Sequence, residues 1–135
     1  MRHPRFFQLY RLWILVLALL PLTGQCQFTF TTNNGVIRIT GYTGTNGVVV
    51  VPSSTNGYPV VSIGDDAFFN QTFITSITIP TSITNIGFSA FNSCAGLTSI
   101  TIPNSVSGIG NLAFGFCSSL TNIMTFAPAA RGRKS

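Results

Sequence analysis

The stretch Leu97-Thr98-Ser99-Ile100-Thr101-Ile102-Pro103-Asn104-Ser105-Val106, followed by Ile109-Gly110 and Ala113-Phe114, decides the fold because it is one period of a repeat. The same order runs through three units of 23 residues, 60–82, 83–105 and 106–128. Ile63, Ile86 and Ile109 share one register, each followed by Gly64, Gly87 or Gly110, and three residues on come Ala67-Phe68, Ala90-Phe91 and Ala113-Phe114. Ile74, Leu97 and Leu120 follow, then Ile77, Ile100 and Ile123. Ile77-Thr78-Ile79 and Ile100-Thr101-Ile102 alternate apolar and polar residues and each is stopped by proline. This predicts short strands with Ile on one face and Thr on the other. The Gly-x-x-Ala-Phe segment predicts a turn of 3₁₀ or α-helix carrying Ala and Phe inward. Such a unit buries its apolar side only by stacking on a neighbour, with strands about 4.8 Å apart in a parallel sheet. The expected fold is a β-rich α/β solenoid.

These residues, with Cys117, resemble the BspA-type leucine-rich repeat, also called the Treponema-pallidum-type repeat, over about residues 60–126. The resemblance implies a right-handed leucine-rich-repeat coil with a short parallel sheet. It also implies a bacterial surface or secreted protein, or one of some protist proteins, with adhesion or protein binding as its role and no catalytic residues. The units are not identical. The first has Gln71 where the later ones have Cys94 and Cys117, and the third has Thr125 and Phe126 in place of the second Ile and the Pro. No polar cap follows, although solenoids generally have one. That favours a truncated relative of longer arrays or a weakly capped monomer, and it leaves an uncapped C-terminal repeat through which the chain could oligomerise.

Residues 27–59 are strand-like but out of register with the units. Phe28–Thr32 and Val36–Thr40 alternate around Asn33-Asn34-Gly35, a hairpin signal; Val48–Val51 is an apolar strand ended by Pro52, and Asn56-Gly57 offers a second turn. This segment is expected to be an N-terminal β-hairpin cap covering the first repeat's open face. It is too small for an independent ligand-binding domain.

Residues 1–26 read as a signal peptide. Arg2, Arg5 and Arg11 precede the apolar run Leu12–Leu20 and then Pro21, with Gly24 and Cys26 placed for cleavage before Gln27. The run is too short for a membrane span, so no span is expected after cleavage; an uncleaved anchor and a lipidated Cys26 are the other readings. The formal charge of +5 sits at the ends. Arg131, Arg133 and Lys134 fall in 129–135, expected to be a disordered basic tail, and the middle carries only Arg38, Asp65 and Asp66. Charge placed this way does not point to nucleic acid.

The middle contains no His, and the chain contains no Glu, so a hydroxyl or thiol has no base to activate it. Asp65-Asp66 fits the start of a short helix rather than an acid–base pair. Cys94 and Cys117 occupy one ladder position and are expected as buried thiols, with a disulfide as the alternative. No catalytic, cofactor-binding or metal residue is expected, and no cofactor. Asn70-Gln71-Thr72 is formally a glycosylation sequon. Phe68, Phe91 and Phe114 form a spine; Phe69, Phe73, Phe88 and Phe116 are expected to be in the core or partly buried, the alternative being a contact surface. The expected role is a non-catalytic interaction or adhesion module, secreted or at the cell surface. Its contact face is Ser76, Thr78, Ser99, Thr101, Asn122 and Met124, and its partner is an extracellular protein or cell-envelope polymer. The alternative is a structural spacer or truncated paralogue with no ligand of its own.

Overall fold

A computed structural model describes residues 27–125; the expected leader and basic tail lie outside them. The chain opens with a hairpin, β1 (Phe28–Asn33) and β2 (Val36–Tyr42), paired antiparallel. Asn34 and Gly35 both take positive φ, 49° and 74°, as a two-residue turn between right-twisting strands requires. Next come β3 (Val48–Val50), β4 (Ser54–Thr55) and β5 (Tyr58–Ile63), then β6 (Ser76–Thr78), β7 (Asn85–Ile86), β8 (Ser99–Ile102), β9 (Gly108–Ile109) and β10 (Asn122–Thr125). β4 and β5 form a second small hairpin around Asn56 and Gly57.

The strands make two ladders. One runs β3-β6-β8-β10, all parallel; the other runs β1-β2-β5-β7-β9, parallel from β2 onward. The result is a parallel β-solenoid. Each unit therefore contributes two strands, where its sequence predicts one. The second lies at Asn85-Ile86 and Gly108-Ile109, two residues long, too short to leave a period-two signal. The lead-in also joins the coil, since β3 pairs with β6 as Val48↔Ser76, Val49↔Ile77 and Val50↔Thr78.

The expected helical turn is not formed. Along Gly-x-x-Ala-Phe, alternate N–H groups reach the adjacent coil: Asp66 donates to Phe88 O, Phe68 to Ala90 O and Asn70 to Asn92 O. One coil on, Ser89, Phe91 and Ser93 donate to Asn111, Ala113 and Gly115. A helix would consume these groups locally, whereas stacking satisfies them between coils. The chain turns through two left-handed residues per coil, Asp66 and Asn70, Ser89 and Ser93, Leu112 and Phe116. Asp65 and Asp66 are consequently no helix start. The Asp65 carboxylate accepts the Phe88 N–H at 2.9 Å and pairs with Arg38 at 3.0 Å.

Ile, Leu and Val fill the space between the ladders, and the aromatic rings stack through it. Tyr42 stacks on Phe68 at 5.5 Å, Phe68 on Phe91 at 5.0 Å, and Phe91 on Phe114 at 5.4 Å. Phe28 covers the N-terminal end of this column, 5.4 Å from Tyr42 and 6.3 Å from Phe68. The Gly64, Gly87 and Gly110 positions bring successive backbones together. A Cβ on Gly87 would stand 2.6 Å from Asp65 N and from the Gly64 carbonyl carbon. Gly87→Ala is expected to cost about 1–3 kcal/mol, because rigid backbone must move. Thermal unfolding checks this, and an unchanged midpoint would mean that the coils separate freely.

Candidate functional site

The outward side of the β3-β6-β8-β10 ladder is built by alternation. Ile77 and Ile100 point into the core, so Ser76 and Thr78, and Ser99 and Thr101, point away from it. Register then aligns the sequence-predicted residues into two rows. Ser76, Ser99 and Asn122 are partners in one, Thr78, Thr101 and Met124 in the other. The structure extends both rows with residues the repeat reading missed, since Val48 precedes Ser76 and Val50 precedes Thr78. Both valines are about two-thirds exposed. The apolar run Val48–Val51 was visible in sequence, but four identical Val side chains did not say which face each would take.

A third line of hydroxyls borders these rows and is already used. Thr75 Oγ1 donates to Gly47 O, Thr98 Oγ1 to Thr75 O at 3.1 Å, and Thr121 Oγ1 to Thr98 O. Each bond ties a coil to its predecessor. The hydroxyls of Ser76, Thr78, Ser99 and Thr101 remain open to solvent or to a partner. No Lys, Arg, Asp or Glu lies in either row. The face can thus offer hydroxyl hydrogen bonds between an apolar Val pair at one end and Met124 at the other.

The two cysteines are free thiols that act as coil-to-coil donors: Cys94 Sγ lies 3.1 Å from Phe68 O and Cys117 Sγ lies 3.1 Å from Phe91 O. Gln71, the first-unit departure, does the same work, its Nε2 donating to Tyr42 O at 3.2 Å. Burial, with a smaller contribution from Cys117, pushes the Cys94 thiol up to about 12; burial also raises Cys117. Neither is poised as a nucleophile at neutral pH. Among the described residues no three of His, Cys, Asp and Glu come together, and no helix is long and apolar enough to cross a membrane.

Phe69, Phe73, Phe88 and Phe116 are exposed, not core or partly buried. They stand at different positions of their units, outside the inward Ile, Ala, Phe and Leu positions, so the stack has no slot for them. Asn70, of the sequon, is exposed at a left-handed turn position.

Residues 51–128 match the family model described as the BspA type leucine rich repeat region, with 6 copies. No curated protein matches the chain. Among solved structures the fold is similar to a leucine rich cell surface protein of Faecalibacterium prausnitzii, with TM-score 0.67 and 36% identity over 75% of this chain and 30% of that one. A leucine-rich repeat protein of Bacteroides ovatus gives 0.65 and 34%, over 73% of this chain and 28% of that one. One of Bacteroides capillosus gives 0.58 and 28%, over 75% of this chain and 95% of that one. The chain thus spans less than a third of the first two.

Proposed function

Because this chain belongs to the BspA-type leucine-rich repeat family, a protein-interaction fold, we propose that it is an exported, non-catalytic binding module whose contact surface is the outward face of the β3-β6-β8-β10 ladder. The observation that carries the reading is the pair of in-register rows, Val48-Ser76-Ser99-Asn122 and Val50-Thr78-Thr101-Met124. Their hydroxyls have no other work, and a flat, uncharged, hydroxyl-rich strip suits modest hydrogen-bonded contacts with an extracellular protein or envelope polymer rather than electrostatic steering. Export is supported by the leader-like sequence of residues 1–26 and by the cell-surface description of the Faecalibacterium prausnitzii relative.

Thr78→Ala with Thr101→Ala is expected to weaken capture of the partner by about 1 kcal/mol per lost hydrogen bond while leaving unfolding almost unchanged. Binding to the native cell-envelope fraction measures it, with Phe88→Ala as a control on another surface. Capture that ignores the double substitution sinks the assignment of this face. A structural spacer with no ligand of its own is the second reading, and it expects no saturable binding by any variant.

A further inference from the structure

The chain holds three Asn-Gly pairs, Asn34-Gly35, Asn46-Gly47 and Asn56-Gly57. In such a pair the glycine backbone nitrogen, unshielded by a Cβ, can attack the amide carbon of the asparagine side chain. The fold treats the three pairs differently. Asn34 and Asn56 sit in two-residue turns with φ of 49° and 50°, and their glycines follow at 74° and 81°. In the left-handed conformation the asparagine Cβ stands nearly opposite the next nitrogen across the Cα–C bond, so a ring closes only if that bond rotates. Strand pairing opposes the rotation, since Asn33↔Val36 closes the first turn and Thr55↔Tyr58 the second.

Asn46 has neither restraint. It is exposed, it is not left-handed, and it lies between β2 and β3, outside any strand. The Gly47 N–H, which would attack, donates no hydrogen bond among the described residues, whereas Gly47 O accepts three, from Thr75 N, Ser76 N and Thr75 Oγ1. Tyr42 Oη donates to Asn46 O at 3.3 Å. That oxygen belongs to the same peptide group as the attacking nitrogen, so the bond favours the anion formed when the N–H is lost.

We propose that Asn46 is a site of spontaneous covalent modification, at which the folded chain deamidates in preference to its other two Asn-Gly pairs. Gly47 N gives up its proton to base and bonds to Asn46 Cγ. The side-chain nitrogen takes up a proton and leaves as ammonia, which closes a five-membered succinimide. Water then opens the ring at one carbonyl or the other, giving aspartate or isoaspartate. Either product places a carboxylate two residues before Val48, at the end of rows that hold no charged side chain. Isoaspartate also lengthens the main chain by one methylene, just ahead of the Gly47 carbonyl that ties this segment to Thr75 and Ser76. The chemistry stands independently of the outward-face reading.

Incubating the purified full chain at mildly alkaline pH, folded in buffer and unfolded in guanidinium chloride, tests it. Peptide mapping by mass spectrometry reads the replacement of –NH₂ by –OH at each asparagine over time. In the folded chain Asn46 is expected to convert roughly tenfold or more faster than Asn34 and Asn56, because ring closure at the turns must await local opening of paired strands. In the unfolded chain the three rates should converge. Asn46→Gln should abolish the fast conversion, since its longer side chain would have to close a six-membered ring, and circular dichroism verifies that the variant folds. Earlier conversion at Asn34 or Asn56, equal rates at all three in the folded chain, or an Asn46 that converts only after unfolding overturns the proposal.

Discussion

Phe91→Ala should remove about 3–5 kcal/mol of stability, a large share of the roughly 5–15 kcal/mol that a domain possesses. Phe91 is fully buried, and its ring lies between those of Phe68 and Phe114, so truncation leaves a void with stacked aromatic walls above and below. Those walls cannot collapse inward, because the spacing of the coils is held by backbone bonds on both sides, Phe68 N–H to Ala90 O and Phe91 N–H to Ala113 O. Stability in a stacked coil also depends on each interface between neighbours, so a void in the middle coil weakens two of them. Urea unfolding followed by far-ultraviolet circular dichroism should show the loss. Phe69→Ala, one residue on but exposed, should shift the midpoint little. Equal effects for the two would mean that the aromatic column does not hold the coils together.

Alkali should unfold the chain through Cys94. Its thiol ionises near 9.0 in an ordinary setting and is pushed up to about 12 in the fold, chiefly by burial. Below pH 9 both folded and unfolded chains keep this proton. From there to about pH 12 the unfolded chain has released it while the folded chain retains it, so stability falls as pH rises. The slope reaches at most about 1.4 kcal/mol per pH unit. Cys117, partly exposed and raised in the same direction, adds a shallower slope. Denaturation measured under reducing conditions at successive pH values should show Cys94→Ala losing much of this dependence. Parallel slopes for the two proteins would place the alkaline sensitivity elsewhere.

Much of this was legible because the repeat writes its packing into positions. Ile77 and Ile100 had to point inward once Thr78 and Thr101 alternated with them, and the recurrence of Phe68, Phe91 and Phe114 identified the aromatic column. Gln71 looked like an irregularity, yet it donates to the preceding coil as Cys94 and Cys117 do. The helical reading of Gly-x-x-Ala-Phe failed for a reason outside the segment, since alternate N–H groups along it are satisfied by carbonyls 22 residues further along the chain. Phe69, Phe73, Phe88 and Phe116 were misjudged because hydrophobic character alone does not provide a cavity.

By itself the sequence determined the solenoid, its 23-residue period, the inward and outward sides of its longer strands, and a face without charge. It could do so because side-chain alternation and repeat register are properties of neighbouring residues. Tertiary structure alone decided the second ladder, the turn that is not a helix, and the place of Val48 and Val50 in the two rows. Each of these depends on backbone pairing or burial between coils, and a single unit read alone carries no record of what stacks upon it.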